Sequence, residues 1–193
     1  MSKELIVLGG PNGAGKSTLA TEYILNTRYA FLSADAIAAR LSPANPAAAK
    51  IAAGRAFIER VNQALAGKNG FIIETTLSGR TAERTLRAAR KAGFVIAITY
   101  VFLDSVETCI QRVHERVGKG GHLVSDADIR RRFSRSLRNF WHIYRPLADC
   151  WYLVYNSAQD PHIVADGYAL DVAIRDSEVF DRFQKLLEAQ RHD

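Results

Sequence analysis

Residues 4–18 read ELIVLGGPNGAGKST, and the fold follows from how that run divides. Residues 4–8 are almost continuously apolar, the pattern of a strand buried on both faces, and that points to a parallel sheet. Gly10, Pro11, Asn12, Gly13, Ala14, Gly15, Lys16 and Ser17 then fit G-x-x-x-x-G-K-[ST], and Thr18 leads into the helix-forming run STLATEYIL. Buried strand, glycine-rich loop and helix start make a phosphate cradle. The glycines let the backbone turn tightly, and unpaired amides at the helix N-terminus donate to phosphate oxygens. Lys16 is placed for the β- and γ-phosphates and Ser17 for Mg²⁺. The expected ligands are therefore a nucleoside triphosphate and Mg²⁺, with residues 10–18 as the nucleotide loop and Ser17 as metal ligand; ATP is the triphosphate of a kinase reading. Motors, switches, transporters and kinases share this loop, so the second substrate must be read elsewhere.

The chain has 193 residues, 48% hydrophobic and 24% charged, which suits one buried core and predicts a single domain over residues 1–193. The apolar run LIVL is too short for a signal-peptide core, and nowhere do 18 apolar residues follow one another, so a cytoplasmic protein without a membrane partner is expected. Cys109 and Cys150 lack metal-ligand spacing and read as packing residues. The net charge of +6 is local, gathered largely between Arg112 and Arg145.

Four further strand candidates follow: AFLSA (30–34), GFIIET (70–75), FVIAITYVFL (94–103) and CWYLVYN (150–156). Helical patterns lie between them. One runs over residues 46–67, with Ile51, Phe57, Ile58, Val61 and Leu65 inward, Pro46 in its first turn and Gly67 at its end. Another runs over 81–93, with Thr81 as N-cap and Gly93 as stop. The alternation predicts a P-loop α/β fold, a five-stranded parallel sheet flanked by helices. A C-terminal extension over about 158–193 reads as a small hairpin turning at Asp166-Gly167, then a helix over 177–190.

The chain has no N-K-x-D-type guanine reader and no transporter signature, which leaves the parts of a small-molecule kinase. Asp35 stands at the carboxyl end of the second strand, the edge where open α/β sheets bind ligands. It could take the proton of an attacking hydroxyl, or cap the helix of AIAARL. Glu74 and Thr76 end the third strand on the same edge, suited to Mg²⁺ or an acceptor hydroxyl, with Ser78 and Arg80 next in the loop.

The basic excess lies in CIQRVHERVGKGGHLVSDADIRRRFSRSLRNFWHIYRPL, residues 109–147. Arg112 and Arg116 share one helix face, so one guanidinium could lie on the base while the other reaches phosphate. GKGGH supplies a turn that includes His122, a histidine with no paired ligand. In the next helix Ile129, Phe133, Leu137 and Phe140 or Trp141 form a buried stripe, and Arg131, Arg135 and Arg138 gather on another side. Residues 112–135 therefore read as a lid whose arginines, Arg131 and Arg132 among them, neutralise phosphate charge. A solvated arginine face is the alternative, and the spacing does not choose among Arg130, Arg131 and Arg132.

Three stretches, GGPNGAGKST, FIIETTLSGR and RVHERVGKGGHLVSDADIRRRFSRSLRNF, together resemble the zeta-toxin-like P-loop kinases, over about residues 3–157. The resemblance implies an adenylate-kinase-like core and transfer of the γ-phosphoryl group of ATP to a hydroxyl; in zeta toxins the acceptor is UDP-N-acetylglucosamine. It implies Lys16 and Ser17 for nucleotide and metal, Asp35 as base, Glu74 and Thr76 for the acceptor, and Arg116 with Arg131 or Arg132 as lid arginines. An antitoxin protein is the partner it implies. Zeta toxins carry an arginine shortly after Glu-x-Thr, where this chain has Ser78 and only then Arg80.

Two rival readings differ in partner. A polynucleotide 5′-hydroxyl kinase would track phosphates with the arginines, but Phe133 and Phe140 fit the core, so no stacking platform is left and nucleic acid is not the expected partner. A non-catalytic ATP-binding regulatory module would use the arginine face for a protein.

Overall fold

The computed structural model describes residues 3–118, 124–158 and 160–190. Its centre is a parallel sheet of β1 (Glu4–Gly9), β2 (Ala30–Ser33), β3 (Phe71–Thr75), β4 (Val95–Phe102) and β5 (Cys150–Tyr155). The helices are α1 (Lys16–Thr27), α2 (Ala34–Leu41), α3 (Lys50–Ala66), α4 (Thr81–Lys91), α5 (Val106–Gly118), α6 (Asp126–Asn139) and α7 (Ser177–Ala189). The α/β class is as the sequence predicts. The sheet is wider: β6 (His162–Tyr168) and β7 (Ala173–Ile174) add antiparallel to its edge, giving seven strands in the order β2-β3-β1-β4-β5-β6-β7. The expected turn at Asp166-Gly167 is not there, because both residues pair with β5 (Asp166 with Tyr152, Gly167 with Trp151), and the chain reverses after Tyr168.

Alternation along β1 explains the layers. Leu5 and Val7 face the main core with Phe71, Ile98, Tyr100, Phe140 and Trp151, while Ile6 and Leu8 face Ala20 of α1 together with Ile72. Phe140 begins a π-helical turn (Phe140–Tyr144) and stacks on Tyr100 at 4.2 Å, which fixes α6 against β4. The inward stripe of α6, Ile129, Phe133 and Leu137, is buried as expected.

In α3 the buried residues are Ala53 and Val61, with Phe57 beside them, whereas Ile51 is 74% and Ile58 48% exposed. A periodicity of three and four fits either stripe, and the small alanine face wins because α2 packs closely there through Ile37 and Ala38. The helix starts at Lys50 rather than Pro46. α4 begins one residue before expectation, with Arg80 rather than Thr81 at the N-cap position. Among the described residues no helix is long and apolar enough to cross a membrane.

Candidate active site

The connection from β1 leads to β2 on one side of it and the connection from β3 leads to β4 on the other, so the loop after β1 sits at the switch point of the sheet. Register then gathers the candidates. Leu8 pairs with Glu74 and Glu74 with Ser33, so the ends of β1, β3 and β2 form one row. Lys16, Asp35, Glu74 and Thr76 emerge from that row and line a common cavity of about 310 Å³ with Ser33 and Arg132.

The loop is held from outside. Gly10 has φ +141°, and a Cβ there would lie 2.2 Å from the Val101 carbonyl oxygen. Gly15 has φ +92°, and its Cβ would meet Asn156 Nδ2, the group that donates to the Ala14 carbonyl at 2.8 Å. Asn156, just after β5, belongs to no motif; its signal is only its position on the carboxyl edge.

Lys16 is 6% exposed, and its Nζ donates to the Pro11 carbonyl at 2.9 Å. Burial lowers its pKa, opposed by the negative charges of Glu74 and Asp35, while Arg116 adds to the lowering. The Ser17 hydroxyl donates to Glu74 Oε2 at 3.0 Å. A hydroxyl and a carboxylate oxygen side by side are donors of the kind Mg²⁺ takes. Among the described residues no group of three His, Cys, Asp or Glu side chains could hold a metal by itself. Burial pushes the Cys109 thiol up to about 12, which keeps it protonated beside the loop.

Ser33 caps α2, its Oγ accepting from the Ala36 amide. The capping role open to Asp35 is thereby filled, and Asp35 sits in the first turn with its carboxylate at the cavity, making no hydrogen bond or ion pair to another described residue. Thr76 pairs its hydroxyl with Ser78 at 2.8 Å. Arg80 turns instead to Glu83, at 3.0 Å, and does not line the cavity.

The three consecutive arginines separate. Arg130 pairs with Glu107 at 2.7 Å and Arg131 with Asp128 at 2.5 Å, both at the surface. Arg132 shares Asp128 at 3.9 Å but reaches the loop, its Nη1 3.4 Å from Asn12 Oδ1, with a side chain 18% exposed against 51% for Arg131. Arg116 is exposed at the end of α5 and close enough to act on Lys16 electrostatically; Arg112 acts likewise on Cys109. Residues 119–123, most of the GKGGH turn and His122 with it, lie outside the described residues.

One helix serves both edges of the cavity. Ser136 and Asn139, beyond Arg132 on α6, donate to the carbonyls of Thr76 at 2.5 Å and Leu77 at 2.9 Å, and Tyr144 donates to that of Gly79. The loop after β3 is thus fixed by the same element that carries Arg132 to the phosphate loop.

The family model described as AAA domain matches residues 5–136. An uncharacterized protein of Haemophilus influenzae is 32% identical over 133 residues, 69% of this chain and 94% of that protein. Among solved structures, AvrRxo1-ORF1:-ORF2 with ATP superposes at TM-score 0.73 and 12% identity, over 94% of this chain and 63% of that one. The PezAT chromosomal toxin-antitoxin system of Streptococcus pneumoniae gives 0.65 at 14% identity, covering 100% and 88%. Shikimate kinase from Acinetobacter baumannii, in complex with shikimate, gives 0.52 at 17%, covering 98% and 96%. At such identities the shared property is the fold, and this chain spans under two thirds of the AvrRxo1 chain.

Proposed function

The chain belongs to the AAA domain family, and from that premise we propose that it is an ATP- and Mg²⁺-dependent phosphotransferase acting on a hydroxyl of a small molecule. The observation that carries the reading is the cavity in which the buried loop lysine, Lys16, shares walls with two carboxylates, Asp35 in the first turn of α2 and Glu74 in β3, and with Arg132. Phosphoryl transfer needs positioning and charge neutralisation at the γ-phosphate, and these groups supply both.

In this reading residues 10–18 bind the triphosphate, and Lys16 exchanges the Pro11 carbonyl for phosphate oxygens. Ser17, with Glu74 beside it, would hold Mg²⁺, which would supply charge neutralisation at the phosphates. Asp35 accepts the acceptor's hydroxyl proton as that oxygen bonds to the γ-phosphorus; the bond to the β,γ-bridging oxygen breaks and ADP leaves. Arg132 and Arg116 balance charge on the transferring group, with Arg112 at the nucleotide and Thr76 at the acceptor. Arg131 and Arg80 stay outside this reading in the described conformation, paired with Asp128 and Glu83.

The fold shared with a shikimate kinase and with an ATP complex of AvrRxo1-ORF1 supports the donor half. The motif resemblance to zeta toxins, and the fold shared with PezAT, make a nucleotide sugar such as UDP-N-acetylglucosamine the first acceptor to test and an antitoxin the first protein partner to seek. The test is incubation with γ-labelled ATP and nucleotide sugars, sugars, hydroxy acids and oligonucleotides, separated by chromatography. A labelled small-molecule product is expected; label on oligonucleotides alone would favour a polynucleotide kinase, and no product at all would leave an ATP-binding regulatory module.

A further inference from the structure

The same cavity has a third wall, which neither the loop motif nor the strand ends account for. Lys50, Gly54 and Phe57 of α3 line it, spaced so that all three lie on one helix face. α3 is held in that orientation by Ala53, which packs with Ile37 and Ala38 of α2.

Gly54 is the informative member. A glycine inside a helix weakens it relative to alanine, and close packing commonly explains one. Here a Cβ would meet nothing within 4 Å, so no neighbour demands the missing side chain. What its absence leaves is open cavity between Lys50 and Phe57.

The charges along the wall are uneven. Asp35 and Glu74 are engaged with the acceptor hydroxyl and the metal in the reading above. Of the cations, Lys16 is tied to the loop at Pro11 and Arg132 to Asn12 and Asp128. Lys50 makes no ion pair with a described residue, yet it lines the cavity and its charge helps lower the pKa of Asp128 on α6. It is the cation left over on the acceptor side.

We propose that the acceptor carries an anionic group of its own, a carboxylate or a phosphate, which Lys50 binds while the body of the acceptor lies against Phe57 in the space beside Gly54. This rests on the kinase reading and makes Lys50 a residue that determines specificity, on the wall facing the reaction rather than at the reacting atoms.

The experiment pairs anionic hydroxyl compounds with neutral counterparts: sugar phosphates and hydroxy acids with free sugars and polyols, and nucleotide sugars with nucleosides. Each is offered with γ-labelled ATP. Transfer to an anionic member is expected, at least about tenfold above its neutral counterpart, as loss of a charge-assisted contact predicts. Phosphate against carboxylate members tells which anion is read. Lys50→Ala should raise the acceptor KM about tenfold with kcat changed less than about twofold, and Lys50→Arg should restore the lower KM. Gly54→Met, checked for folding by its melting temperature, should raise the acceptor KM by filling the space. Equal transfer to neutral counterparts, or a wild-type acceptor KM in Lys50→Ala, overturns this inference and leaves the kinase reading standing. No transfer to any compound overturns both.

Discussion

Replacing Ser136 with alanine removes one oxygen that two partners share. Ser136 is fully buried, its Oγ 2.5 Å from the Thr76 carbonyl and 2.8 Å from the Tyr100 hydroxyl. A carbonyl only accepts, so Ser136 donates to Thr76 and Tyr100 donates to Ser136. Burial pushes the Tyr100 pKa far upward, so this phenol is a donor at every working pH. Ser136→Ala therefore orphans a buried hydroxyl, at about 1–3 kcal/mol, and loses a carbonyl bond worth about 0.5–1.5 kcal/mol. The sum is about 3 kcal/mol, or a melting temperature roughly 6–12 °C lower for a domain of this size. Adding Tyr100→Phe removes the orphan and keeps the stacking on Phe140, so the double variant should recover about 1–3 kcal/mol over Ser136→Ala. Thermal and urea unfolding of the two single variants and the double complete the cycle. A double variant melting below Ser136→Ala would refute the assignment of donors. Transfer rate separates stability from positioning: it should fall in Ser136→Ala and stay low in the double variant, because both lack the tie to Thr76.

Asp35→Asn should bind ATP with wild-type affinity in a calorimetric titration yet lose about 10²–10⁴-fold in transfer rate, the span of a lost general base; wild-type turnover would remove Asp35 from that role. Lys16→Met should abolish nucleotide binding while raising the melting temperature of the ligand-free protein, since the lysine's burial disfavours its charged form. The sign follows from the lowered pKa: between it and the ordinary 10.5 the unfolded chain holds more protons, so wild-type stability rises with pH across that window. The Lys16→Met gain is therefore largest below the lowered pKa and fades toward pH 10.5, and a gain independent of pH would contradict it. Arg132→Ala should lower transfer by about 10²-fold or more, whereas Arg131→Ala, which breaks only the exposed pair with Asp128, should leave initial rates within about twofold.

Elements whose signals are local are legible in the amino-acid order alone. An apolar run of five residues stopped by glycines is too short for a buried helix and reads as a buried strand ahead of a tight turn, and the loop's backbone chemistry is written in its spacing, so β1, the phosphate loop and α1 were legible together. The parallel core followed from strand–helix alternation, and the buried stripe of α6 from the helical spacing of Ile129, Phe133 and Leu137. Contacts between distant segments decided the rest. Periodicity in α3 allowed two stripes, and only packing against α2 turned Ala53 inward and Ile51 outward. Asp166-Gly167 carries turn chemistry, but pairing with β5 outweighed it. Arg130, Arg131 and Arg132 are identical as letters; the nearest carboxylates, Glu107 and Asp128, and the approach of α6 to Asn12 tell them apart. Asn156, Ser136 and Asn139 bear no motif, because a side chain that holds a distant carbonyl is recognised only by where that carbonyl lies. Local backbone chemistry thus specified the glycine-rich loop from sequence, and the cavity beside it, lined from separate segments, existed only once the sheet register had brought them together.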